Sequence, residues 1–160
     1  MRTPQTVDLD VLYARIFSRP EVMRFVFAGQ PLIREQAKAC FKSMFDHEGS
    51  GLKLGVLVNK QESRVIGFSG LLECQILGER DYEIGFVLAR TAWSKGFATE
   101  IGLGQLEYGF TKVGCVRLLA QTAPENLVSI AVLEKIGMVF QGTIQSEGRG
   151  ERNIYVAHRT

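Results

Sequence analysis

The chain has 160 residues, of which 46% are hydrophobic and 22% charged, which is typical of one globular domain with a single core. Its 19 Lys and Arg residues nearly balance 17 Asp and Glu residues, so the formal net charge of +2 argues against nucleic acid or an anionic membrane as the main partner. Asp8 and Asp10 interrupt the segment where a signal peptide needs an apolar stretch, and no apolar run is long enough to span a bilayer. We therefore expect a cytoplasmic protein.

The cysteines and histidines give no metal-binding pattern. Cys40, Cys74 and Cys115 lie far apart in apolar surroundings, which is typical of reduced, buried thiols. The only histidines are His47 and His158, and no Cys-x-x-Cys pair is present. The sequence therefore predicts no metal cofactor.

The first half of the chain predicts two helices followed by a hairpin. Apolar residues recur at helical spacing over residues 8–18, and a second helical pattern over residues 32–45 follows Pro31. Residues 52–58 and 65–76 read as strands because a polar turn separates two apolar runs.

The second half alternates strands with helices and ends in another hairpin. Its predicted elements are a strand at 82–89, a helix at 97–112, a strand at 117–122, a helix at 127–136, and strands at 138–144 and 153–157. The strand at 82–89 is almost continuously apolar, as expected of a central strand covered on both faces. The predicted fold is an α/β domain with a mixed sheet.

The stretch EIGFVLARTAWSKGFATE, residues 83–100, holds the main chemical signal. It predicts a strand, a short loop and a helix that opens at Gly96, Phe97 and Ala98. A helix N-terminus presents unpaired N–H groups and the positive end of the helix dipole, so it can bind a pyrophosphate. Lys95 adds one cation. A plain strand-to-helix turn is the alternative.

These residues resemble the acetyl-CoA core of the GNAT acetyltransferase superfamily, in particular its RimJ/RimL-type branch. The resemblance covers about residues 65–142 and rests on TAWSKGFATE, on YEIGFVLAR before it and on PENLVSIAVLEKIGM after it. It implies a GNAT-like mixed, mostly antiparallel sheet with flanking helices and a splayed central strand pair. It also implies a single acetyl-CoA-binding domain over residues 1–160, which transfers an acetyl group to a primary amine of a protein N-terminus or a small molecule.

The resemblance also implies which residues bind acetyl-CoA. Trp93, Gly96 and Ala98 occupy the marked positions of a loop usually written Gln/Arg-x-x-Gly-x-Gly/Ala, in which Trp93 is a departure. Pyrophosphate binding is then expected from the backbone amides of Ser94, Lys95, Gly96, Phe97, Ala98 and Thr99. Trp93 either contacts the cofactor or anchors the loop by packing.

The pantetheine arm is expected, by the same resemblance, in the gap of the splayed pair. Backbone groups around Phe86, Val87 and Leu88 would pair with its amides, and one N–H would polarise the thioester carbonyl. Asn126 matches a pantetheine contact and Ser129 the group that protonates the departing thiolate. The alternative for both is that they cap the following helix.

Two catalytic positions depart from common GNAT patterns. Leu133 stands where many relatives have a tyrosine acid, and Gln121 where some have a glutamate base. Glu83 is then the nearest candidate base and Glu73 a weaker one, and either is alternatively a solvated carboxylate. These departures keep open a catalytically weak CoA-binding sensor or interaction module, and a nucleotide-phosphate binder is a third hypothesis.

The N-terminus leaves little room for the first strand of the family. Seven residues precede the helix that begins near Asp8, so the sheet is expected to lack this strand. An open sheet edge must be covered by the chain itself or by a partner, and a homodimer is one such solution.

Overall fold

The computed structural model describes residues 1–160 as one six-stranded sheet with helices on both faces. The helices are α1 (Asp8–Leu12), α2 (Pro20–Met23), α3 (Arg34–Met44), α4 (Phe97–Tyr108) and α5 (Leu127–Lys135). The strands are β1 (Lys53–Asn59), β2 (Arg64–Cys74), β3 (Asp81–Leu88), β4 (Arg117–Thr122), β5 (Val139–Ser146) and β6 (Gly150–His158). Single π-helical turns, Tyr13–Phe17 and Gly109–Val113, extend α1 and α4.

The strands follow the order β1-β2-β3-β4-β6-β5 across the sheet. Every neighbouring pair is antiparallel except β3 and β4, which run parallel. The predicted fold class, a mixed and mostly antiparallel sheet with flanking helices, is therefore confirmed.

Helices bury the two faces of the sheet separately. On one face the N-terminal helices pack Phe17 and Met23 against Val56 and Phe68 of the first two strands. On the opposite face α4 and α5 cover a second cluster of buried side chains, which includes Leu71, Ile84, Leu118, Leu133 and Tyr155. Because successive strand residues alternate between the faces, one strand contributes to both clusters.

Most element boundaries agree with the sequence prediction to within a few residues. The short helix α2 was not predicted, and the C-terminal hairpin is longer than expected because β6 begins at Gly150 and not at Asn153. The long helix changes at Gly109 into a π-helical turn. Gly109 also lies so close to β4 that an added Cβ would come within 2.5 Å of Leu118 Cδ1.

The N-terminus supplies only a remnant of a first strand. The Arg2 N–H donates to the Val56 carbonyl over 3.0 Å, and the Val56 N–H donates to the Arg2 carbonyl over 2.8 Å. The Arg2 side chain also forms two hydrogen bonds of 2.6 and 2.8 Å with the buried carboxylate of Asp8. Phe45 forms a second isolated bridge, with Leu54, so the chain itself covers the edge of β1 at two positions. The homodimer stays a prediction. None of the helices is both long and apolar enough to cross a bilayer.

Candidate active site

The parallel strands β3 and β4 meet at one end and separate at the other. Arg117 binds the buried carboxylate of Asp81 through two hydrogen bonds, of 2.8 Å from Nε to Oδ1 and 2.7 Å from Nη2 to Oδ2. The two strands then pair at a single position, Glu83 with Leu119. Beyond it no ladder joins them, although each strand continues for several residues. This is the splay that the sequence predicts.

The open edge of β3 presents backbone groups of alternate residues. The Ala89 N–H donates to the Ile66 carbonyl of β2 over 2.8 Å. Since every second residue of an antiparallel strand forms hydrogen bonds with the neighbouring strand, this bond shows which residues of β3 pair with β2. Val87 consequently directs its N–H and C=O toward β2, whereas Phe86 and Leu88 direct theirs toward β4. The backbone pairing predicted for this stretch thus falls to Phe86 and Leu88.

The loop after β3 is held by Trp93. Its indole N–H donates to the Leu88 carbonyl over 2.9 Å, although 43% of the side chain is exposed. Ser94 and Gly96 then adopt left-handed backbone conformations, with φ of 58° and 82°. Gly96 tolerates this conformation without a steric cost, and it directs the chain into α4.

The N-terminus of α4 has no side-chain cap. The first intrahelical hydrogen bond runs from the Glu100 N–H to the Gly96 carbonyl over 3.1 Å. The N–H groups of Phe97, Ala98 and Thr99 therefore have no acceptor within the helix. Such a terminus fits a phosphate group of a nucleotide ligand.

A pocket beside this helix terminus is rich in cations. Its lining includes Arg15 from the turn after α1, Arg64 from the start of β2, and Lys95 from the loop. Glu62 also lines it and forms a 3.9 Å ion pair with Arg64, so the cations exceed the carboxylates by two. Lys95 was predicted, but Arg15 and Arg64 were not. They are distant in sequence from the loop, and only the fold brings them to it.

Glu83 lies at the base of the gap. Its Oε2 accepts a 2.8 Å hydrogen bond from Nε2 of Gln121 on β4, and the side chain remains partly accessible. Burial raises the pKa of Glu83, and the bond from Gln121 only partly offsets that effect. Gln121 itself cannot act as a base, but its amide holds the Glu83 carboxylate in place.

Glu73 is in a different environment. It pairs with Tyr82 in the β2–β3 register, so it projects from the face opposite to that of Glu83. Its side chain is 51% exposed and forms a 2.7 Å ion pair with Arg80. These features are those of a solvated surface carboxylate.

Asn126 and Ser129 lie at the start of α5, just after β4. The Asn126 side-chain oxygen accepts a 3.3 Å hydrogen bond from the Ser129 N–H, which is the geometry of a helix cap. The Ser129 residue is half-buried. Leu133 packs in the core with 2% of its surface exposed. No tyrosine acid is therefore available there.

Two arginines near the gap were not predicted. Arg149 lies in the turn between β5 and β6, and Arg152 lies on β6, where only 4% of its surface is exposed. The sequence does carry a signal for Arg152: it is in phase with Ile154 and Val156, so a charged residue occupies the buried face of a strand.

The structure also shows the surroundings of the three cysteines and of the side chains that could bind a metal. No group of three or more His, Cys, Asp or Glu side chains is placed to hold a metal ion. All three cysteines are free and half-buried. Burial raises the pKa of Cys40 and of Cys74 to about 11, so both thiols are protonated at neutral pH.

The model of one protein family, the acetyltransferase (GNAT) domain, matches residues 1–139 of the chain. The chain belongs to the GNAT acetyltransferase family. The Bacillus subtilis protein YkkB, itself uncharacterised, is 30% identical over 145 residues, which cover 91% of this chain and 84% of YkkB. The uncharacterised N-acetyltransferase p20 of Bacillus licheniformis is 31% identical over 147 residues, which cover 91% of this chain and 81% of p20.

Solved GNAT structures share the whole fold. A GNAT acetyltransferase from Bacillus anthracis superposes with a TM-score of 0.80 at 25% identity, covering 98% of this chain and 92% of the other. The spermidine N-acetyltransferase of Vibrio cholerae, solved with CoA and spermine, gives a TM-score of 0.79 at 18% identity, covering 98% and 93%. As a GNAT protein, this chain is an acetyl-CoA-dependent N-acetyltransferase.

Proposed function

We propose that this GNAT protein, as a member of the RimJ/RimL-type branch, acetylates a primary amine by direct attack on acetyl-CoA in the gap between β3 and β4. The observation that carries the proposal is the single paired position of these strands, with Glu83 at the base of the gap. Acetyl-CoA supplies the acetyl group as an activated thioester. The acceptor is a protein N-terminal α-amine or a small amine.

The proposed binding of acetyl-CoA uses the helix terminus and the strand edge together. Backbone amides from Ser94 to Thr99 would bind the pyrophosphate, while Arg15, Arg64 and Lys95 would attract the remaining negative charge. The free backbone groups of Phe86 and the N–H of Leu88 would pair with the amides of the pantetheine arm, since the Leu88 carbonyl already accepts from Trp93. Trp93, in this proposal, keeps the loop in place through the Leu88 carbonyl.

The proposed proton transfers use Glu83 and Ser129. Glu83 accepts the proton of the attacking amine, directly or through water, and its raised pKa makes it a stronger base than an exposed glutamate. The N–H of Phe86 or Leu88 donates to the carbonyl oxygen of the thioester. When the C–S bond breaks, the Ser129 hydroxyl donates its proton to the thiolate and takes up a proton from water in the same step, so that no alkoxide remains. Because a thiolate leaves readily, the effect of losing this group should be small.

The acceptor is not specified by these groups. The Vibrio cholerae protein is described as a spermidine N-acetyltransferase, but its likeness to this chain concerns the fold. Polyamines, amino acids and ribosomal N-terminal peptides therefore all belong in the first screen.

The test measures acetyl-CoA consumption by the purified protein against these amines, with thermal-shift binding of CoA recorded in parallel. We expect CoA to stabilise the fold and one amine class to be acetylated. ATP should not compete with CoA, which separates the proposal from a nucleotide-phosphate binder.

The Ser129→Ala variant serves as a test of the acid, with Ser43→Ala, an exposed serine on α3, as the matched control. Ser129→Ala should lower kcat less than about tenfold, because the thiolate needs little assistance. Binding of CoA without transfer to any amine would favour the sensor alternative, and absence of CoA binding would contradict the proposal altogether.

A further inference from the structure

Arg152 is a buried cation without a counter-ion. Its Nε and Nη1 atoms are buried and have no hydrogen-bond partner, and Nη2 makes only a 3.4 Å hydrogen bond to the Phe27 carbonyl. No carboxylate forms an ion pair with it. A buried guanidinium that leaves several donors unused is costly, so it indicates a ligand that uses them.

The strand register brings Arg152 to the same side of the sheet as the candidate base. Gln121 pairs with Ile154 of β6, and Arg152 is in phase with Ile154. Gln121 in turn reaches Glu83 across the gap. Arg152 thus lies one strand away from the gap, just beyond the end of β4, where the strands have already separated.

A second arginine strengthens the positive charge at this place. Arg149 has a buried Nε without a partner, and its charge lies close enough to lower the pKa of Arg152 further than burial alone does. Both arginines also act on Glu83, where their charges oppose the rise in pKa that burial causes. Glu125, an exposed residue just before α5, also acts on Arg152, so two arginines and two carboxylates, Glu83 and Glu125, surround this region. Neither carboxylate is within ion-pair distance of Arg152.

We propose that Arg152 and Arg149 form an anion subsite beside Glu83, so that the acceptor of this enzyme is a small amine that carries a carboxylate. The inference rests on the proposed function and specifies its substrate class. The guanidinium of Arg152 binds the carboxylate through its unused donors, and the amine of the same molecule is held near Glu83.

The charge arrangement distinguishes between the acceptor classes. An amino acid presents one positive and one negative group, which complements Glu83 and the two arginines. A polyamine presents only positive groups and is repelled by Arg149 and Arg152. A peptide N-terminus places an uncharged amide where an amino acid has its carboxylate, so it leaves the donors of Arg152 without a charged partner.

The test compares amino acids that have only an α-amine with their carboxamides. A carboxamide has the less basic amine and is more often neutral at pH 7.5, so without an anion subsite it should be the better acceptor. We expect the free acids to have a kcat/KM at least about tenfold higher, as hydrogen bonds to a charged group allow. This preference should disappear in Arg152→Met through a higher KM, and Arg149→Gln should reduce it.

Arg159→Met, at an exposed C-terminal position, is the matched control and should keep the preference. The thermal shift caused by CoA should be the same in all these variants, which shows that they fold and bind the cofactor. Arg152→Lys keeps the charge without the planar guanidinium and should restore only part of the preference.

The outcomes separate this inference from the proposed function. If amines are acetylated but carboxamides or polyamines are preferred, or if Arg152→Met keeps the preference, the anion subsite is wrong while the acetyltransferase stands. If no amine is acetylated, the subsite is tested by binding alone. Amino acids should then raise the melting temperature of the protein–CoA complex, and the absence of such a shift would overturn the subsite as well.

Discussion

The two ends of the β3–β4 pair show how one pair of strands performs two tasks. At the closed end, Asp81 and Arg117 join the strand starts through two short hydrogen bonds within largely buried surroundings. At the open end, past Glu83 and Leu119, the strands offer free backbone groups and a carboxylate. The salt bridge thus holds the two strands together at the end where they are paired, and the unpaired end is where we propose that acetyl transfer takes place.

The largest expected effect concerns the open end. Glu83→Gln should lower kcat/KM by about 10²- to 10⁴-fold, because it removes the general base but keeps the shape of the side chain. The matched control is Glu73→Gln, which alters an exposed glutamate on the opposite face and should change kcat/KM less than about twofold. Equal effects of the two substitutions, measured by steady-state kinetics, would remove Glu83 from the mechanism.

The pH dependence sharpens this prediction. Burial raises the pKa of Glu83 above its ordinary value of 4.5, so the base is protonated and inactive at pH values where an exposed glutamate would still work. The acid limb of kcat/KM should lie above pH 4.5 and be absent in Glu83→Gln.

The free energy of unfolding should show the same ionisation. A raised pKa in the folded state means that stability is lost as pH rises from the unfolded value through the folded one. Glu83→Gln should lack this loss, as denaturant unfolding at several pH values would show. The wild-type stability minus that of Glu83→Gln should fall over that interval, and a difference that rises would contradict the assigned direction of the pKa.

The closed end should matter for stability more than for chemistry. Asp81→Asn is expected to lower the free energy of unfolding by about 1–3 kcal/mol, because it leaves the Arg117 guanidinium with a weaker partner. Denaturant unfolding measures this change. The control, Asp10→Asn, disrupts an exposed ion pair with Arg34 and should cost less than about 1 kcal/mol. If Asp81→Asn lowered kcat/KM as much as Glu83→Gln does, the two ends would not divide stability and catalysis between them.

A smaller effect is expected at the loop that leads from the open end into α4. Gly96 and Gly78 both have φ near 80° and no atom within 4 Å of an added Cβ. Gly96→Ala and Gly78→Ala should therefore each lower stability by about 1–2 kcal/mol through backbone strain alone. Only Gly96→Ala should also raise the KM for acetyl-CoA. A raised KM for acetyl-CoA in Gly78→Ala would show that backbone strain anywhere in the fold is sufficient to weaken cofactor binding.

The smallest expected effect is a difference in stability between alanine substitutions at two glycines within α4. An added Cβ at Gly102 would come within 2.8 Å of Ile136 Cδ1 and 3.8 Å of Phe86 on the open strand, whereas Gly104 faces open space. Gly104→Ala should raise the free energy of unfolding by up to about 1 kcal/mol through helix propensity. Gly102→Ala should gain less or lose stability, because Ile136 must move. Equal gains in thermal unfolding would mean that the contact at Gly102 is not tight.

Much of the fold followed from periodicity. The nearly continuous apolar run of β3 predicted a central strand, and β4 was predicted with the bounds that the structure has. The start of α4 at Phe97 followed from the residues around Gly96. The helix α2 escaped prediction because four residues are too few for a 3.6-residue period to be recognised.

The site was only partly predictable, because it depends on contacts between residues that are distant in the sequence. Glu83 is predicted as the nearest carboxylate to the position where Gln121 replaces the glutamate base of some relatives. The sequence does not indicate that Gln121 binds Glu83 or that Glu73 faces the other way. Arg152 carried a signal in its phase along β6, yet what it faces depends on a strand order that no local pattern encodes.

The sequence by itself determined the elements, the family-like core and the helix terminus that fits a phosphate, because these depend on residues that are neighbours along the chain. Only the tertiary structure decided which charges meet. Arg15, Arg64 and Lys95 line one pocket, although they come from the turn after α1, the start of β2 and the loop before α4. Arg149 and Arg152 approach Glu83 because β3, β4 and β6 are neighbours in the sheet but distant in sequence. Electrostatic interactions depend on distance and burial, and both are properties of the folded chain.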